Sequence, residues 1–134
     1  MIQEDKNLLL KDLCARLPYG VIAKVEEWNG YMDRKLEGFS YGYFHTSETD
    51  YDVDEVMPYL RPMSSMTKNE KKEFDKLMNL VEERCINAYG KGGYTLAFTD
   101  LNDWLNAHHF DYRGLIEKGL ALEAPEGMYN EKEK

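Results

Sequence analysis

The stretch 21–39, "VIAKVEEWNGYMDRKLEGF", decides the fold class, because the hydrophobic period changes there from helical to extended. Val21, Ala23 and Val25 alternate with Ile22, Lys24 and Glu26, which gives a strand one apolar face and one polar face. Asn29-Gly30 is a two-residue hairpin signal, since both central positions of a type I′ turn need positive φ. Strands are therefore predicted near 21–28 and 31–37. "YGYFHT" (41–46) reads as a third strand, and "DYDVDEV" (50–56) as a fourth with Tyr51 and Val53 on one face. Pro58 and Pro62 predict an irregular turn through "MPYLRPM" (57–63).

Helices are predicted on both sides of this region. Before it, Leu10, Leu13, Cys14 and Leu17 fall at i, i+3, i+4 and i+7 and make one apolar stripe, with Asp5 as N-cap and Pro18 and Gly20 ending the helix. After it, Thr67 and Glu70 form a capping-box pattern ahead of a helix near 68–88, whose inner face carries Phe74, Leu77, Met78, Val81 and Cys85. "YGKGG" (89–93) ends that helix and "YTLAF" (94–98) reads as a short strand. Thr99 or Asp100 then caps a helix bearing Leu101, Trp104 and Leu105. The expected whole is an α+β single domain over 1–130: an N-terminal helix, a bent antiparallel sheet or small barrel (β-rich 19–62), and a C-terminal helical part (66–124) packed on it. "EAPEGMY" (123–129) is a turn and 131–134 a frayed tail.

Composition narrows the function. The chain has 134 residues and is 43% hydrophobic, enough for one cored domain. No apolar run approaches the ~20 residues that span a bilayer, and the opening "MIQEDKNLLLKDL" is acidic where a secretion signal is basic, which predicts a cytoplasmic protein with no membrane partner. A net charge of −8 weighs against nucleic acid as a partner. Cys14 and Cys85, both at apolar helix positions, read as buried reduced thiols with no metal site or cofactor implied.

Several motifs invite chemistry. Asp50, Asp52 and Asp54 have the opening spacing of an EF-hand loop, but Glu55 and Arg61 stand where Gly and Glu are required; a strand would put all three on one solvated face. "EGFSYGYF" (37–44) echoes the first ribonucleoprotein motif, yet Glu37 replaces the phosphate-binding cation. "GKGG" (90–93) follows a helix and lacks phosphate-loop spacing, and Ser64 and Ser65 have no placed base among His45, His108 and His109.

The densest candidate is "DWLNAHHFDYRGLIEKGLAL" (103–122), which gathers His108, His109, Asp111, Tyr112 and Arg113. Adjacent helical residues point about 100° apart, so the two histidines cannot share a metal on an ideal helix. Structural tasks fit instead: His108 extends the apolar stripe, His109 meets the negative end of the helix dipole, and Asp111 caps a second helix from Tyr112 to Lys118. Gly119 would be its C′ residue, with Leu115 and Leu120 the hydrophobic pair of a Schellman motif. Two helices about a turn also suggest a helix-turn-helix reader, but the second offers only Arg113 and Lys118.

"LLLKDLCARLPYGV" (8–21), "YLRPMSSMT" (59–67) and "DWLNAHHFDYRGLIEKGLALEAPEGMYN" (103–130) together resemble an uncharacterised family of small proteins from gut bacteria and their mobile elements or phages. The resemblance implies a bacterial or phage-related origin and a cytoplasmic setting, and it carries over no catalytic residue. The sequence reading is a small non-catalytic adaptor or regulatory protein whose partner is another protein, with Tyr41, Tyr43, Tyr112 and Tyr129 supplying contact surface. The alternatives are a metal-assisted hydrolase using His108, His109 and Asp111, and a nucleic-acid binder using the aromatic sheet or the C-terminal helix pair.

Overall fold

A computed structural model of the chain describes residues 1–86 and 91–129, apart from the side chains of 84–86 and 91–96. The fold is α+β. Helix α1 (Gln3–Arg16) leads into a 3₁₀ turn through Pro18 that ends at Gly20. Strands β1 (Ile22–Glu27), β2 (Gly30–Lys35), β3 (Gly38–Ser40), β4 (Tyr43–His45), β5 (Asp50–Tyr51) and β6 (Val56–Leu60) follow. Helices α2 (Lys68–Ile86) and α3 (Lys91–Ala107) come next, and a short strand β7 (Leu122–Glu123) lies near the end. One sheet has the order β2-β1-β6-β7 and the other β3-β4-β5; neither closes into a barrel.

The alternation in β1 holds: Val21, Ala23 and Val25 are fully buried. They meet Leu9 and Leu13 of α1, Phe44 and Tyr51 of the three-stranded sheet, and Val56 and Leu60 of β6 in one core. A second apolar cluster lies where α2 and α3 pack, around Val81, Ala97, Leu101, Leu105 and Phe110.

Both hairpins differ from expectation by turn position. In the first, Glu27 pairs with Gly30, so Trp28 and Asn29 make the turn; Gly30 takes positive φ and Asn29 does not. In the second, "YGYFHT" is split. Ser40 pairs with Tyr43, and the turn residues Tyr41 and Gly42 both have positive φ, 54° and 84°, the pattern of a type I′ turn. The predicted fourth strand is cut short, because Asp52 caps a 3₁₀ turn through a reciprocal pair with Glu55. Asp50, Asp52 and Asp54 therefore share no face: Asp50 bonds His45, Asp52 caps, and Asp54 pairs with Lys6.

The segment expected to be irregular is an inner strand. β6 runs antiparallel to β1 and parallel to β7, with Pro58 opposite Ala23. Proline is tolerated because β7 pairs only with Tyr59 and Leu60, one residue beyond it.

Helical expectations need four corrections. α1 starts at Gln3, so Asp5 lies in its first turn and is no cap. Its buried face is Leu9, Asp12, Leu13 and Arg16, and Cys14 is exposed. Two charged residues take the inner stripe because they neutralise each other one turn apart. "YTLAF" belongs to α3, whose inner face runs back from Leu105 and Leu101 to Ala97 at four-residue spacing; Thr99 and Asp100 are thus interior to the helix. The helix expected from Tyr112 to Lys118 is a single turn. The side chain of Cys85 and the tail 131–134 lie outside the described residues.

Candidate functional site

The densest candidate segment begins where α3 ends. The His109 amide donates to the Asn106 carbonyl (3.1 Å) and the Phe110 amide to the Leu105 carbonyl (3.0 Å). These are the two bonds of a Schellman motif, with His109 at the left-handed position (φ 62°) that glycine usually fills. The motif recurs ten residues on. Gly119 donates to Ile116 (3.1 Å) and Leu120 to Leu115 (2.9 Å), as the Gly-Leu ending predicts, although it closes one turn instead of a helix. Asp111 caps that turn by accepting from the Leu115 and Ile116 amides at 2.8 and 2.9 Å.

The two histidines serve different neighbours. The His108 ring lies against Trp104, 4.4 Å between centroids, with Nδ1 3.3 Å from a Glu70 carboxylate oxygen. His109 is buried and stacks on Tyr129 at 3.7 Å. Burial, and then the positive charge of Arg16, push its imidazole down to about 3, so the cation expected at the helix end is a neutral ring. Among the described residues no three metal-ligating side chains cluster, and His108, His109 and Asp111 do not converge. The constellation required for metal-assisted hydrolysis is not assembled.

Arg113, Tyr112 and Tyr129 are structural as well. Asp12 and Arg16 of α1, both fully buried, form a two-bond ion pair (2.8 and 3.1 Å). Arg16 also donates to the Phe110 carbonyl at 2.6 Å, and Arg113 donates to Asp12 at 2.8 Å. Tyr112 lies under both guanidinium groups and donates to Asn106. With Arg113 paired and 112–118 not helical, no second helix presents basic side chains to a groove. Tyr129, expected as exposed contact surface, is bonded to both Ile22 and Tyr59.

A second buried pair braces the same segment from the other side. Arg61 donates two bonds to Glu70 (2.9 and 2.7 Å) and lies 4.3 Å over the Phe110 ring. Glu70 also closes the predicted capping box with Thr67. Burial works to raise the Glu70 carboxyl, but bonds from Arg61 and the Thr67 amide outweigh it and hold the group below the usual range.

The three-stranded sheet assembles residues that sequence reading kept apart. On its outer face Ser40 Oγ lies 2.6 Å from His45 Nε2, and His45 Nδ1 lies 2.8 Å from Asp50 Oδ1. The carboxylate can only accept, so it holds the proton on Nδ1 and leaves Nε2 to accept from the Ser40 hydroxyl. Register explains the meeting: Gly38 pairs with His45 and Ser40 with Tyr43, while His45 faces Asp50 on the next strand. Ser40 is thus diagonal to His45 across a type I′ turn. The imidazole carbon Cδ2 passes 3.7 Å from where a Cβ on Gly38 would sit, an ordinary van der Waals distance, so the ring lies over the Gly38 backbone without depending on glycine there. The signal was the repeat of five (40, 45, 50) about two tight turns, and it was hidden once 41–46 was read as continuous strand.

The same sheet turns Phe39 and Phe44 towards each other, 4.6 Å between centroids, with Phe44 fully buried. The ribonucleoprotein-like stretch therefore spends these aromatics on packing. Its Tyr41 ring is 97% exposed, as is Trp28 at 96%, and Tyr31 and Tyr43 are also exposed. Comparison with known proteins finds no matching family model, no curated relative and no solved structure. Among the described residues no helix is long and apolar enough to cross a membrane.

Proposed function

We propose that the protein is a small adaptor or regulatory protein that works through contacts made by its hairpins, with another protein as partner. Tyr41 carries the reading. A left-handed conformation costs a non-glycine residue about 1–2 kcal/mol, and Tyr41 adopts it with φ 54° while its ring stands in solvent. The type I′ turn requires that backbone but not an aromatic side chain, since Asn or Gly meets it at lower cost, and strained positions concentrate at functional surfaces. Trp28, on the other hairpin turn, is equally bare. Neighbouring β2 is an edge strand of six residues, and five of them are exposed, including Tyr31 and Met32. Its unpaired edge can accept one extended strand from a partner. The resemblance of three segments to small proteins of gut bacteria and their mobile elements supports a bacterial or phage-related cytoplasm as the setting.

The test is capture in the native host with the tagged chain, comparing wild type with Tyr41→Asn, which suits the turn and removes the ring. A specific partner whose recovery falls about tenfold or more in the variant supports the reading, as expected for an interface aromatic. Equal recovery by a folded Tyr41→Asn chain, or a lone monomer that captures nothing, overturns it.

A further inference from the structure

We propose that Ser40, His45 and Asp50 form a nucleophilic site on the outer face of the three-stranded sheet, competent to cleave activated carboxylic esters. This goes beyond the interaction reading and rests on other side chains, although the Tyr41 backbone and Trp28 border the site. Three observations carry it. Both hydrogen bonds of a serine–imidazole–carboxylate relay are present, at 2.6 and 2.8 Å, in the order that activates the hydroxyl. The relay is held from below and from the side: Phe44 and Tyr51, paired across β4 and β5, are buried in the core. The 46–49 turn between His45 and Asp50 is closed by four hydrogen bonds of Thr46. Finally, stability gives little reason for the arrangement, because ion pairs and hydrogen bonds as exposed as those of His45 and Asp50 contribute little to folding.

The chemistry balances without any further group. Ser40 Oγ adds to the ester carbonyl carbon while its proton passes to His45 Nε2, and Asp50 holds the resulting imidazolium through Nδ1–H. The bond to the leaving oxygen then breaks and that oxygen takes the proton from Nε2. Water adds to the acyl-Ser40 ester by the same route, releasing the carboxylic acid and restoring the hydroxyl. The Tyr41 amide, next in the chain and outside both strand ladders, is the backbone donor offered to the developing oxyanion. Beside the relay, an open groove of about 380 Å³ is lined by Asp50, Glu26, Glu27, Glu48 and Glu55 with one cation, Arg34; it reaches Asp50 but not Ser40 or His45, so it acts on a substrate through its net negative field. Its acidity assigns neutral or cationic esters as the substrate class over anionic ones.

The purified full chain is treated with a fluorophosphonate and assayed with p-nitrophenyl acetate, alongside Ser40→Ala, His45→Gln and Asp50→Asn. The expected result is a single phosphonyl adduct on the peptide bearing Ser40, absent from Ser40→Ala and His45→Gln. Hydrolysis above the buffer rate should fall roughly 100-fold in His45→Gln. Asp50 is a positioning residue, so Asp50→Asn should lower kcat while leaving KM unchanged. The anionic p-nitrophenyl hemisuccinate should react more slowly than the acetate, each relative to its own buffer rate. Unchanged melting temperatures keep the comparison one of chemistry, because all three side chains lie at the surface. Labelling elsewhere, equal labelling of His45→Gln, or wild-type hydrolysis at the buffer rate overturns the site; faster hemisuccinate turnover overturns the substrate class.

Discussion

His109 combines a left-handed backbone, a buried ring and a stacking partner in one residue. Its imidazole is pushed down to about 3 in the folded chain, against an ordinary value near 6.5. The sign follows from proton counting: between those values the unfolded chain binds a proton that the folded chain refuses. The contribution is therefore complete above pH ~6.5 and declines as pH falls towards 3, by at most about 1.4 kcal/mol per unit. His109→Asn keeps a side chain that tolerates φ above zero and removes the titration. Its melting temperature should fall less steeply than wild type between pH 6.5 and 4; parallel curves would show that His109 is not held neutral. Tyr41 gives the opposite prediction at the same scale. Tyr41→Asn should raise stability by about 1 kcal/mol in urea unfolding, because it relieves a left-handed aromatic that packs on nothing. A loss of stability would show that the ring contributes to the fold.

At the scale of elements, α1 is joined to the 110–113 segment by charges instead of apolar side chains. Asp12 balances both Arg16 and Arg113, and none of its side chain is exposed. Removing one partner of a buried pair costs about 3–5 kcal/mol, because the other charge stays buried. Asp12→Ala should therefore lose several kcal/mol, and Arg113→Ala, whose side chain is 20% exposed, should lose roughly 1 kcal/mol or less. Equal losses in denaturant titration would contradict this ordering. The pair also shows why α1 was only half legible. Periodicity placed the helix, but it scores Asp12 and Arg16 as polar and so rotated the buried face by one residue, onto Cys14. Where local chemistry is self-contained, sequence was enough: the Thr67–Glu70 box and the Gly119-Leu120 ending stand as read. Where a feature depends on a distant partner it was hidden. Pro58 became acceptable in an inner strand only because β7 falls short of it, and His45 met Ser40 only because the chain turned at Tyr41. His109 as a C′ residue was masked by the expectation of glycine there.

At the scale of the molecule, the last described residues tie the sheet to the helical part. The β1–β6 register ends at Ala23 opposite Pro58, and one more step would oppose Ile22 to Tyr59. The Tyr129 hydroxyl stands at that step. It accepts from the Ile22 amide at 2.8 Å and lies 2.8 and 3.1 Å from the Tyr59 and Ile22 carbonyls. Burial raises this phenol well above its ordinary range, so it stays a donor at any working pH. Its ring stacks on His109, just past the end of α3, and β7 pairs with β6, so one strap reaches both halves of the fold. Tyr129→Phe keeps the stacking surface and deletes the hydroxyl, leaving a part-buried amide and carbonyls without their partner. The expected loss is about 1–3 kcal/mol with an unchanged urea m-value. The damage should also be local. Amide hydrogen exchange should show Ile22 losing protection while Val25, inside the intact ladder, changes only by the global loss of stability. Equal loss at both amides would mean that the strap contributes only through its packing, and no loss at either that the phenol is not what closes the parting strands.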